Sequence, residues 1–249
     1  MSNIYLYNGD YSSLLNLIIE LLKQKINPDN IKNCDYEPNL LEQIVNLKLD
    51  NKNNLKILNK MPKIILKSIY YVYLSNNENK ELLIFEFLKY AFKYKEDVFR
   101  YRNIDSINEV IKIIKYVGSE AHKLKGFLRF KQVKNFYYAV IEPTNNVISI
   151  LATHFKKRLS EELWIIYDKK RNIYALYDLK KVIYLKESEF KSLNLDLDEN
   201  EKNIEELWKT FFKTISIKER KNLKCQMNFM PKKYWKNMLE MEDRIWRRL

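Results

Sequence analysis

Glycine is scarce in this chain, with three residues in 249, where about 7% is usual for soluble domains. Loops that cradle phosphate with bare backbone need several glycines in a fixed run. Neither GxxxxGK[ST] nor GxGxxG occurs, and there is no GxSxG elbow and no HExxH. Cysteine is rarer still. Cys34 and Cys225 lie far apart, with no CxxC and no third thiol. That argues against a zinc site or an iron–sulfur cluster and for free thiols in a reducing cytosol. No run of about 18 uncharged apolar residues exists. The most apolar stretch, Ile64 to Leu74, is broken by Lys67, and the start lacks a basic segment followed by an apolar one. The expectation is a cytoplasmic protein without membrane partner, metal or cofactor.

What the chain has in plenty is lysine and aromatic side chains. The net charge is +13, from 45 Lys+Arg against 32 Asp+Glu, and 18 Tyr, 12 Phe and 4 Trp supply a sizeable core. An excess of cations points to an anionic partner, nucleic acid first and a membrane surface second. Part of the excess is compositional, because AT-rich coding raises Lys, Asn and Ile and lowers Gly and Arg together. The same bias acts as a filter: residues that it disfavours persist where geometry or chemistry needs them. Gly118, Gly126, His122 and Arg129 fall within a dozen positions. That concentration marks the segment 118–130 as the place to look.

Ile4 to Tyr7 reads as a short strand, and Asn8-Gly9-Asp10 as a turn in which Asp10 or Ser12 caps the next helix. Leu14, Leu15, Ile18, Ile19, Leu21 and Leu22 form that helix's apolar face. Residues 26–50 are polar and irregular. Helices are expected over 53–60, after Pro62, over about 78–94, and from Ser106, where Ile107, Val110, Ile111, Ile114, Val117 and Ala121 make one stripe. Gly126 sits where a left-handed cap would end the last of these. The period then changes to two. Segments 127–133 and 136–142 read as a hairpin, 146–157 as a helix, 164–168 and 174–178 as a second hairpin, and 182–185 as a further strand. Residues 194–203 read as a surface loop, 204–217 as a helix, and a last helix starts near Pro231 and carries Arg244, Arg247 and Arg248. The expected fold is α+β in one domain over 1–249. It has a helical N-terminal half to about residue 125, a central antiparallel sheet of four or five strands, and C-terminal helices packed on it.

Candidate chemistry gathers at the helix-to-strand junction. His122 is a candidate general acid or base, and Lys125 and Arg129 are candidate phosphate clamps. Glu120 and His122 lie two apart on a helix and point to different sides, so they do not make an acid–base pair. His154, within Thr153-His154-Phe155-Lys156-Lys157-Arg158, is a second catalytic candidate, with Arg158 at a basic helix end. Lys169, Lys170 and Arg171 form a hairpin turn suited to backbone phosphates. Lys232 and Lys233, before Tyr234 and Trp235, open a helix. Each has a structural alternative: an ion pair, a solvated face, or aromatics at strand spacing that are core.

Tyr7-Asn8-Gly9, the run Glu120 to Phe130, His154-Phe155 with Arg158, Trp164 to Arg171, Leu207-Trp208-Lys209 with Phe211-Phe212, and Met230-Pro231 with Tyr234-Trp235-Lys236 share an order and spacing. They resemble a bacterial family of DNA repair (DNA metabolism) proteins that is itself a domain of unknown function. The resemblance implies work beside a radical-SAM DNA modification or repair protein. It also implies kinship with copies fused to a uracil-DNA glycosylase-like domain. It brings no established reaction. Tyr167 departs from the family's pattern, which often has histidine before this aspartate.

Three readings stay open. The first is a DNA-binding protein acting with a radical-SAM or glycosylase-type partner. The second is an enzyme acting directly on a damaged or modified base, of glycosylase or lyase class. The third is a protein-interaction module whose charge is compositional.

Overall fold

The computed structural model describes residues 2–133, 136–191, 222–238 and 241. By the contacts within it, the chain forms two compact units, residues 1–118 and 119–249.

In the first unit, β1 (Ser2–Tyr7) runs into Gly9 and α1 (Tyr11–Lys23). Asp10 caps α1, its Oδ1 accepting the Ser13 N–H at 2.9 Å, as the turn chemistry predicts. Leu14, Leu15, Leu17, Ile18, Ile19 and Leu21 are all buried, so this helix is covered on most sides. Two short strands follow, β2 (Asn30–Asn33) and β3 (Glu42–Ile44), and both pair parallel to β1 in the order β2-β1-β3. The sequence reads this region as irregular. Of its seven strand residues only Ile31 is buried, so no alternating pattern exists to announce them.

Gly9 has φ +81°, and a Cβ there would stand 2.9 Å from the Asn33 Oδ1. Both facts require glycine. We expect Gly9→Ala to lower stability by about 1–2 kcal/mol, measured by urea unfolding; an unchanged midpoint would contradict this account of the turn.

The helices α2 (Asn51–Asn59), α3 (Lys63–Leu74), α4 (Lys80–Tyr94) and α5 (Asp105–Phe127) fall within a few residues of their expected bounds. A 3-10 segment, Lys95–Arg100, separates α4 from α5. One expectation fails at the end of α5. Gly126 is helical, and Gly9 is the one glycine with positive φ. The end is closed instead by Arg129, whose guanidinium donates to the Gly126 carbonyl at 2.8 Å and the Leu128 carbonyl at 3.4 Å. A nearby guanidinium satisfies the orphan carbonyls, so no left-handed residue is needed.

The second unit is built on five strands in sequence order: β4 (Lys131–Val133), β5 (Phe136–Ile141), β6 (Trp164–Asp168), β7 (Ile173–Tyr177) and β8 (Val182–Lys186). The α+β class and the strand number are as expected, but the sheet is mixed. β5 and β6 are parallel, joined through α6 (Ile148–Arg158), while the other pairs are antiparallel. A helix between two neighbouring strands returns the chain to the starting edge, and that crossover makes the pair parallel. Trp164 lies at the centre of this core at 0% exposure, beside Tyr177 and Phe130, and Phe130 meets Phe155 edge-on. The aromatics near the second hairpin are thus largely core: Trp164, Tyr174 and Tyr177 are buried, and Tyr167 stacks on Tyr174.

Two short helices, α7 (Glu187–Lys191) and α8 (Leu223–Phe229), and a 3-10 segment (Lys232–Asn237) complete the described residues. The expected turn at Lys134-Asn135, the loop 194–203, the helix 204–217 with Leu207-Trp208-Lys209 and Phe211-Phe212, and the basic end Arg244, Arg247, Arg248 lie outside them.

Candidate nucleic-acid interface

The connection from β5 to α6, residues 142–147, is held from two sides by buried charges. On one side is Glu120 of α5, 3% exposed. Its carboxylate accepts the Thr144 N–H at 3.0 Å, the Asn145 N–H at 2.8 Å, the Asn145 Nδ2 at 2.7 Å and the Lys233 Nζ at 2.7 Å. Burial alone would push this carboxyl up. The bonds from Lys233, Thr144 and Asn145 outweigh burial and hold it below the usual range. On the other side is Asp168, fully buried at the end of β6. The Arg171 Nη1 donates to it at 3.0 Å, and the same guanidinium donates to the Pro143 and Thr144 carbonyls. Here burial wins, and Asp168 sits above the ordinary range despite Arg171.

Three cations read from the sequence as phosphate ligands are therefore engaged by the fold, among them Arg129 at the end of α5. Arg171 braces its own hairpin turn against residues 143–144, and Lys233 fastens the 3-10 segment to α5. Lys236 pairs likewise with Glu142. Glu120 itself is the residue that sequence reasoning undervalued. The signal was present: Val117, Ala121 and Leu124 are buried, and Glu120 lies on that same face at helical spacing. A carboxylate inside an apolar stripe needs committed partners.

The sign of the Glu120 shift gives a pH dependence. A carboxyl lowered by folding contributes stability above its ordinary value of 4.5, and that stability is lost as pH falls through the folded value. We expect wild-type protein to lose more stability between neutral and acidic pH than Glu120→Gln, compared by urea midpoints at each pH. Equal losses would show that Glu120 is not held ionised by the fold.

The remaining candidates are placed differently. Lys169 and Lys170 are exposed in the turn that Arg171 braces. The Lys170 N–H donates to Asp168 at 3.1 Å, and Asn172 takes a positive φ of 54°, so the backbone beneath them is fixed. Arg158 and Lys232 are exposed, and Lys125 and His154 are half-buried. Burial and, after it, the charges of Lys125 and Arg158 lower the His154 pKa, and Arg158 follows His154 by one turn on the same face of α6. His122 is exposed and makes no hydrogen bond among the described residues, and Glu120 faces inward while it faces out. Among the described residues no carboxylate pairs with Lys125, Arg158, Lys169, Lys170 or Lys232, and no group of three or more metal-ligating side chains occurs. Cys34 and Cys225 are exposed free thiols. No described helix is long and apolar enough to cross a membrane.

Charge is unevenly divided. Residues 1–118 hold 17 Lys+Arg against 14 Asp+Glu, whereas residues 119–249 hold 28 against 18. Most of the +13 therefore belongs to the second unit, which a uniform compositional bias does not explain.

Searches of curated proteins and of solved structures return no match to this chain. A family model does match over residues 78–240, which take in every strand of the mixed sheet, both buried carboxylates and the Lys233 anchor. The chain belongs to the family described as Domain of unknown function (DUF4130).

Proposed function

We propose that the chain binds DNA through the second unit and serves DNA repair beside a radical-SAM or glycosylase-type partner. The observation that carries the reading is the hairpin turn 168–172. There Asp168 and Arg171 consume each other internally and leave Lys169 and Lys170 exposed on a fixed backbone. A rigid cationic turn loses little entropy on contacting phosphates. The exposed Arg158 and Lys232 add cations from other elements of the second unit, and the charge division between the units supports the same unit. The partner rests on the resemblance of segments such as 120–130 and 230–236 to the DNA repair family.

Gly126 supports the reading from another direction. It is exposed in the last turn of α5, and a Cβ there would meet nothing within 4 Å. The fold does not need glycine at this position, whereas a ligand approaching the backbone between Lys125 and Arg129 would. We expect Gly126→Ala to raise stability by about 0.5–1 kcal/mol while weakening DNA binding. Tighter or unchanged binding would remove this support.

The test of the reading is fluorescence anisotropy of the full chain with labelled single- and double-stranded oligonucleotides across a salt series. Affinity should fall steeply and linearly on logarithmic axes. No binding at low salt would select the protein-interaction reading. Direct base chemistry with His122 as acid or base is the less favoured alternative, since that imidazole makes no hydrogen bond among the described residues. Turnover of a damaged oligonucleotide abolished by His122→Ala would restore it.

A further inference from the structure

α6 ends in Lys156, Lys157 and Arg158, and the last turn of α5 carries Lys125. Cations in last turns complement the helix dipoles, and that accounts for their presence. It does not account for His154. This residue lies one turn before Arg158 on the same face of α6, with its ring edge-on to Phe155 at 5.0 Å. Its Nε2 is enclosed and has no hydrogen-bond partner among the described residues. A buried ring nitrogen without a partner costs stability. The charges acting on this one are both positive, Lys125 and Arg158, which disfavour its imidazolium form. A ring nitrogen lacking a partner, beside two cations that no described carboxylate pairs with, is the arrangement expected of an anion receptor.

We propose that Lys125, His154 and Arg158 form a receptor for a phosphate monoester. The two fixed cations match a dianion, and the imidazole supplies a directed N–H. A monoester suits the site better than a backbone diester, which carries one charge and continues in both directions. Entry needs a side-chain movement, because the Nε2 is enclosed. The phosphate could come from the 5′ end of a nicked or processed DNA strand or from a small phosphorylated molecule. Only the first source rests on the DNA-binding reading.

Two measurements separate these cases. Histidine side-chain NMR of the full chain, titrated with inorganic phosphate, should move the His154 resonances saturably. His122 is exposed and lies one turn before Lys125 on α5, so it should move less than His154. Anisotropy with a 5′-phosphorylated and a 5′-hydroxyl oligonucleotide of the same sequence should show about tenfold tighter binding of the former. His154→Gln, and separately Lys125→Gln in case the first variant fails to fold, should abolish that difference, so that each variant binds the two strands alike whatever its affinity for the 5′-hydroxyl strand. If phosphate moves neither histidine, or both equally, and the two oligonucleotides bind alike, the receptor does not exist, although DNA binding would stand. If phosphate moves His154 alone while no oligonucleotide binds, the receptor stands and the DNA reading falls.

Discussion

Glu120→Ala should cost about 3–5 kcal/mol of stability, the largest loss we expect from any single change in the second unit. The substitution removes the carboxylate that accepts from the Asn145 N–H and Nδ2, in a residue only 1% exposed. It also releases Lys233, but that side chain is 43% exposed and returns readily to water. The two contributions can be separated. Lys233→Met removes the ion pair and leaves the amide donors in place, so its cost should be near 1 kcal/mol, as for partly exposed pairs. Urea unfolding of both variants checks the ratio. Equal costs would mean that the ion pair, and not the satisfied amides, holds residues 144–145 in place.

Lys169→Gln combined with Lys170→Gln should weaken DNA binding by roughly tenfold at about 0.1 M salt and lower the salt slope by about two. Stability should hardly change, because both side chains are exposed and the turn is fixed by Asp168, Arg171 and Asn172. Arg171→Gln makes the contrast. It leaves a buried carboxylate without its cation, so its effect should appear mainly in unfolding and only secondarily in DNA affinity. A pair of lysine substitutions that left the slope unchanged would place the DNA contacts elsewhere.

Legibility in the sequence followed the strength of local signals. The Asp10 cap, the long stripe of α5 and the second hairpin, expected over 164–168 and 174–178, each rest on residues near one another in sequence, and the structure has the hairpin strands within one residue of those bounds. β2 and β3 were missed because they are polar segments that become strands only by pairing with β1. The parallel β5–β6 pair was available in principle from the helix between them, yet a strand reading by period alone does not give direction. At the candidate interface, Gly126 reads as a cap because glycine usually plays that part, while the side chain that closes the helix, Arg129, comes three residues later. Lys233 reads as a surface cation because its partner, Glu120, is brought to it by the fold across 113 positions, whereas Arg171 is held by Asp168 in its own turn and by the carbonyls of Pro143 and Thr144, which the fold supplies. A lysine's neighbours in sequence do not say whether a distant carboxylate claims it.

Hydrogen exchange of the full chain with and without a DNA oligonucleotide tests the interface most directly. Slowed exchange should map to residues 125–129, 154–158 and 168–172. Slowed exchange confined to residues 1–118, or none at a saturating DNA concentration, would contradict a nucleic-acid surface on the second unit.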